Sequence, residues 1–164
     1  MAWVLVFSYW VHLLATAVWG GSLLLMGLSA VSALRQQSRH HNEWLGLQKK
    51  TLPWANLSLL LLLITGFIQM TNDANYSGFL AVDSVWAWAM LLKHILFFVV
   101  IGVAAYWQFA TFPAVERAAV LSQQKPKLAQ SEQEKLARRE KQLLWLNVGC
   151  AAAILFCTAV LTAI

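Results

Sequence analysis

Three observations predict an all-α integral membrane protein, folded as a four-transmembrane-helix bundle. The chain of 164 residues is 60% hydrophobic and only 12% charged, where a soluble domain carries roughly 25% charge. The charges are clustered: none falls between Met1 and Ser32, none from Thr51 to Asn72, one (Lys93) from Ser84 to Val115, and none from Gln142 to Ile164. Each of these runs reaches the about 20 residues that cross a hydrocarbon core of roughly 30 Å. Such runs are too long for strands, and in lipid the backbone must satisfy its own hydrogen bonds, so they are helices.

The spans are expected at residues 3–33, 52–71, 85–113 and 142–163, in a single membrane domain covering 1–164. The first run has no basic leader, and its apolar stretch is about twice that of a signal peptide, so it reads as a span. A polar helical extension is expected over 122–141, with Pro126 breaking the segment before it and Ser131 and Glu134 forming a capping box.

The loops set the orientation. Arg35, Arg39, Lys49 and Lys50 lie in the first loop, and Arg117, Lys125, Lys127, Lys135, Arg138, Arg139 and Lys141 in the third, while the second has Asp73 and Asp83 and no base. The positive-inside rule makes the basic loops cytoplasmic and places both termini outside a bacterial-type cytoplasmic (inner) membrane. The net charge of +5 is therefore a topology signal. The bases are interleaved with Glu and lack aromatic partners, which argues against nucleic acid as a partner. Of the nine tryptophans, Trp3, Trp10, Trp54, Trp86, Trp88 and Trp145 fall near helix ends, where indole suits the headgroup zone. Cys150 and Cys157 lie seven residues apart on one helix, too far apart to bridge, and no CxxC is present.

A two-helix duplication is expected. His12-Leu13-Leu14 precedes Gly20 as His94-Ile95-Leu96 precedes Gly102, and Trp54-Ala55-Asn56 matches Trp145-Leu146-Asn147. Matching helices run in the same direction, as in a parallel repeat. Asn56 and Asn147 read as interhelical hydrogen-bonding groups.

The candidate site follows from the repeat. Of four histidines, His40 and His41 lie in the first basic loop, whereas His12 and His94 lie inside spans, where ionisable groups point to function. His12 follows Trp3 by nine residues and His94 follows Trp86 by eight, so both sit about 12 to 14 Å from the same end. Two imidazoles at one depth on parallel helices suit the two axial positions of a b-type haem. Thr16, Trp19, Met90 and Phe98 share their helical faces and would line the ring. Lys93, the one permanent charge in any span, would meet a propionate or an anionic substrate. Copper is the alternative metal, since Cu(I) favours Met and Cys, but Met26 and Met70 look scattered and only Met90 shares a face with His94. No nucleotide, serine-hydrolase or zinc-protease motif is present.

Gly78-Phe79-Leu80, Trp86, Leu91-Leu92-Lys93-His94-Ile95 and Pro113 resemble the third-helix region of the copper-resistance D (CopD-like) membrane proteins. His12-Leu13-Leu14 with Trp19-Gly20-Gly21 resembles that family's first helix, and Thr65-Gly66 its second. The resemblance covers nearly the whole chain and implies copper uptake or tolerance. More distantly, His12 and Lys93 match the helix-one histidine and helix-three lysine of the HemJ-type protoporphyrinogen oxidases, which implies porphyrin handling.

The leading expectation is a b-type haem protein, with His12 and His94 as axial ligands and a redox or electron-transfer role. One haem near one face needs a partner to move electrons: a quinol, a cytochrome or a larger membrane complex, with a homo-oligomer also open. The alternatives are a copper-transporting protein, a porphyrinogen oxidase with Lys93 at the reacting site, and an accessory subunit of a respiratory or photosynthetic complex.

Overall fold

A computed structural model describes residues 2–34, 38–76, 78, 82–124 and 126–163, with side chains for 3–28, 46–76, 78, 82–118, 120–121 and 131–163. The side chains of His40 and His41, and residues Phe79 and Leu80, lie outside this description. Apart from the loop between α2 and α3, the described chain is helical: α1 Ala2–Leu34, α2 Ser38–Thr71, α3 Val85–Tyr106, a π-helical turn Trp107–Thr111, α4 Phe112–Gln124 and α5 Pro126–Ala163. Four segments are long and apolar enough to cross a membrane: Trp3–Leu28, Gly46–Thr71, Val85–Ala118 and Ser131–Ala163.

The helix boundaries have local causes. α3 starts where Ser84, in extended conformation, accepts the Ala87 N–H in its side chain and caps the first turn. α2 ends in a tight turn (Asn72 N to Gln69 O, Asp73 N to Met70 O), followed by an Asx turn from Asn75 N to Asp73 Oδ1. α2 reaches back to Ser38, past the start expected at 52, with Pro53 inside it. The third span is not one regular helix, because its ladder widens into the π turn just before Pro113. Proline has no N–H to donate, and such single π turns relieve the mismatch.

The expected capping box is corrected. Ser131 lies inside α5, which begins at Pro126 and runs unbroken into the fourth span. Proline is favoured in the first turn, where its missing N–H is not needed, so Pro126 opens this helix.

Packing is antiparallel between neighbours. α1 and α2 form one close pair and α3 and α5 another, and α1 against α5 joins them. Large apolar side chains such as Phe7, Leu24, Leu60, Phe109, Leu155 and Phe156 cover the outside, as expected of helices with lipid around them. Trp3 and Trp88 are exposed near helix starts, Trp54 and Trp145 are exposed well inside α2 and α5 rather than at their ends, and Trp86 is buried.

The interior is layered. Nearest the termini, Met70, Trp86 and Ala87 are buried with Tyr76, Met90 and Leu161 packed on them. In the middle, Leu59, Cys150 and Val100 (0% exposed) form a tight cluster with Trp19, Leu96 and Phe97. At the basic end, Met26, Trp107, Phe112, Val115, Ala118 and Leu136 close the bundle. An exposed Lys49–Glu116 ion pair of 2.9 Å ties α2 to α4 there.

Candidate functional site in the bundle interior

His12 turns toward α2. Its Nδ1 lies 2.8 Å from Thr65 Oγ1, and Gly66 leaves room for the ring, since a Cβ there would stand 3.8 Å from His12 Cε1. Thr65 Oγ1 donates its own proton to Leu61 O at 2.6 Å, so toward His12 it accepts. His12 Nδ1 therefore carries the proton, and Nε2 presents its lone pair. His94 Nδ1 lies 2.8 Å from Met90 O, a carbonyl that can only accept, which fixes the same tautomer. A histidine held at Nδ1 with Nε2 unprotonated is prepared to bind a metal. Among the described residues, neither ring bonds the other.

The other expected site residues spread over several environments. Thr16 donates to His12 O on its own helix, Trp19 packs on the middle cluster, and Met90 packs on the cluster nearest the termini. Phe98 is 61% exposed on the outer surface. The inward face of α3 runs through Ala87, Met90, Leu96, Phe97, Val100, Ala104 and Trp107, so it is rotated away from the face shared by His94 and Phe98. Lys93 is half-buried and lies within electrostatic range of His12 on α1 and Cys157 on α5. The four helices thus bring His12, Thr65, Lys93 and Cys157 into one polar neighbourhood.

The sulfur side chains, of which Met26 and Met70 looked scattered along the sequence, share the interior. Met26, Met70, Cys150 and Cys157 are buried, and Met90 is half-buried. Only Met1 lies outside the described residues. The signal was present on α5: Glu140, Asn147, Cys150, Ile154 and Cys157 follow helical spacing down one face. Among the described residues, no group of three or more His, Cys, Asp or Glu side chains could hold a metal ion.

Between the middle cluster and the basic end lies a cavity of about 60 Å³, lined in part by Trp19, Met26, Asn56, Trp107 and Asn147. Asn56 Nδ2 donates to Gln108 Oε1 at 2.9 Å and so joins α2 to the π turn. Asn147 differs: among the described residues its Oδ1 is buried without a partner.

Fold and interior together define a polytopic four-helix membrane protein whose core concentrates sulfur, imidazole and amide groups. A family profile described as Copper resistance protein D matches residues 52–161, more than half of the chain. The protein belongs to that family. The match takes in Lys93, His94, Met70, Met90 and both cysteines, while His12 and Met26 precede it. No curated protein and no solved structure matches the chain, so the likeness to the HemJ-type oxidases gains no support.

Proposed function

We propose that this protein passes copper, as Cu(I), through the interior of its helix bundle, with the basic end cytoplasmic by the charge rule. The carrying observation is the burial of sulfur. Met70 and Met90 lie near the termini, Cys157 lies on α5 between that layer and the middle one, Cys150 lies in the middle and Met26 at the basic end, all buried except the half-buried Met90. Thioether and thiolate are the ligands that select Cu(I) over harder ions. A file of weak two- or three-ligand stations suits a moving ion better than a closed cluster, since conduction needs sites that release as well as bind. The family's name agrees with copper as the cargo.

The residues divide the work. His12, positioned by Thr65, offers Nε2 at the layer of Cys157. Lys93 adds a positive charge to that layer. Below it, Leu59 and Val100 keep the path dry and narrow.

Proteoliposomes containing a Cu(I)-trapping dye test this directly. Uptake is expected to exceed that of protein-free vesicles and to fall at least tenfold in Cys157→Ser and His12→Ala. Uptake equal to that of empty vesicles would sink the reading.

One observation favours a second reading, a b-type haem on His12 and His94: both rings have Nδ1 engaged and Nε2 unprotonated. Such a haem would supply one-electron chemistry, with Lys93 beside His94 placed to meet a propionate. A reduced-minus-oxidised b-type spectrum, lost in both His12→Ala and His94→Ala, tests it. A flat spectrum from protein made with haem available excludes it.

A further inference from the structure

The cavity near the basic end is lined by several oxygen acceptors beside an unpartnered indole N–H. The Ser22 hydroxyl donates to Trp19 O at 2.6 Å, and the Thr51 hydroxyl to Gln48 O at 3.1 Å, so both show only acceptor capacity to the cavity they line. Asn56 gives one of its two amide hydrogens to Gln108, which leaves its Oδ1 and one N–H. Asn147 is 4% exposed and lines the cavity, and its Oδ1 has no partner. Met26 adds a thioether, and Trp19 and Trp107 add indole rings, whose faces attract cations. No charged side chain lines the space.

This lining selects by charge and by softness. A buried acceptor without a partner, such as Asn147 Oδ1, calls for a donor or a cation. Hard divalent ions need carboxylate cages, which are absent here, whereas a thioether beside aromatic faces suits a soft monovalent ion. The volume agrees, because a water needs roughly 10–15 Å³ on this measure. About 60 Å³ then holds one ion with a few waters, and the Trp107 Nε1 proton, which has no partner, can serve such a water.

A buried acid lies nearby. Glu140, 1% exposed, lies on the same face of α5 as Asn147, two turns or about 10 Å nearer the basic end. Its Oε1 is buried without a partner among the described residues. The bases at that end, Lys49 and Lys50 on α2, Arg117 on α4 and Arg138, Arg139 and Lys141 on α5, are exposed.

We propose that this cavity is a binding station for one largely dehydrated soft monovalent cation, held by the Met26 thioether and the Asn147 carbonyl oxygen between Trp19 and Trp107. It rests on the copper reading and supplies that path with its last station before the basic end.

The chain has four methionines, so a protein labelled with ¹³C at the methionine methyls gives four separately assignable signals. Purified full-length protein is titrated with Ag(I), a redox-inert stand-in for Cu(I). The Met26 signal is expected to shift and saturate at one ion per chain for this station. Asn147→Leu should weaken that shift at least tenfold, with the metal-free Met70 and Met90 signals unchanged as the control for folding. A Met26→Leu protein should bind one ion fewer. Shifts at Met70 or Met90 with Met26 unmoved would overturn this station and leave the copper reading standing. Equal shifts with K⁺ would overturn its selectivity. Protein that retains no Ag(I) would overturn both.

Discussion

Replacing Thr65 with valine tests how His12 is held. The change keeps the side-chain shape and removes Oγ1, the acceptor 2.8 Å from His12 Nδ1. One hydrogen bond is lost, and a half-buried imidazole N–H is left without its partner. Such a bond contributes about 0.5–1.5 kcal/mol net, and the orphaned donor costs about 1–3 kcal/mol. Removing the group that orients a ligating histidine typically weakens metal binding about 10–100-fold. Ag(I) affinity in Thr65→Val is therefore expected to fall within that range. Thr65→Ser, which keeps the hydroxyl, should stay close to wild type. Nitrogen NMR of ¹⁵N-histidine protein reads the tautomer directly, with the proton expected on Nδ1 of His12. A proton found on Nε2 in the metal-free protein, or an unchanged affinity in Thr65→Val, would refute the reasoning.

Other changes probe other layers. Gly66→Ala should be tolerated, since its Cβ would meet His12 Cε1 at an ordinary 3.8 Å, whereas Gly66→Leu should displace the ring and abolish the His12-dependent share of Ag(I) binding. Glu140→Met removes a buried carboxyl without a partner and should raise thermal stability in detergent by about 1–3 kcal/mol while slowing copper uptake; loss of stability would show that the carboxyl has a structural partner. For the exposed Lys49–Glu116 pair, a double-mutant cycle should give a coupling below about 1 kcal/mol. Phe98→Ala, at the outer surface, should leave Ag(I) affinity unchanged, and a tenfold loss would place Phe98 in the site.

The four spans were legible in the sequence because lipid imposes a one-dimensional rule. About 20 residues must stay apolar, and the charges of this chain respect that limit everywhere except Lys93. The depth of His12 and its presence in a span were equally readable from spacing. So was the need of Lys93 for polar company, which a charge inside a span must have and which His12 and Cys157 give it.

Facing was not legible. A soluble helix announces its buried side by an apolar stripe, but a spanning helix is apolar all round, and lipid tails are as apolar as a protein core. Nothing in the sequence of α3 tells the Phe98 side from the Val100 side, yet the first is 61% exposed and the second fully buried. The same uncertainty made Met26 and Met70 look scattered and left the shared face of Cys150 and Cys157 unplaced. Ridge-into-groove packing of α1 on α2 and α3 on α5, settled by side-chain shape over many contacts, turned all four inward and set His12 on Thr65. The sequence by itself determined that four helices cross a membrane and which residues within them are chemically costly. Only the tertiary structure decided which of those residues meet, because van der Waals fit between apolar surfaces leaves no periodic mark in composition.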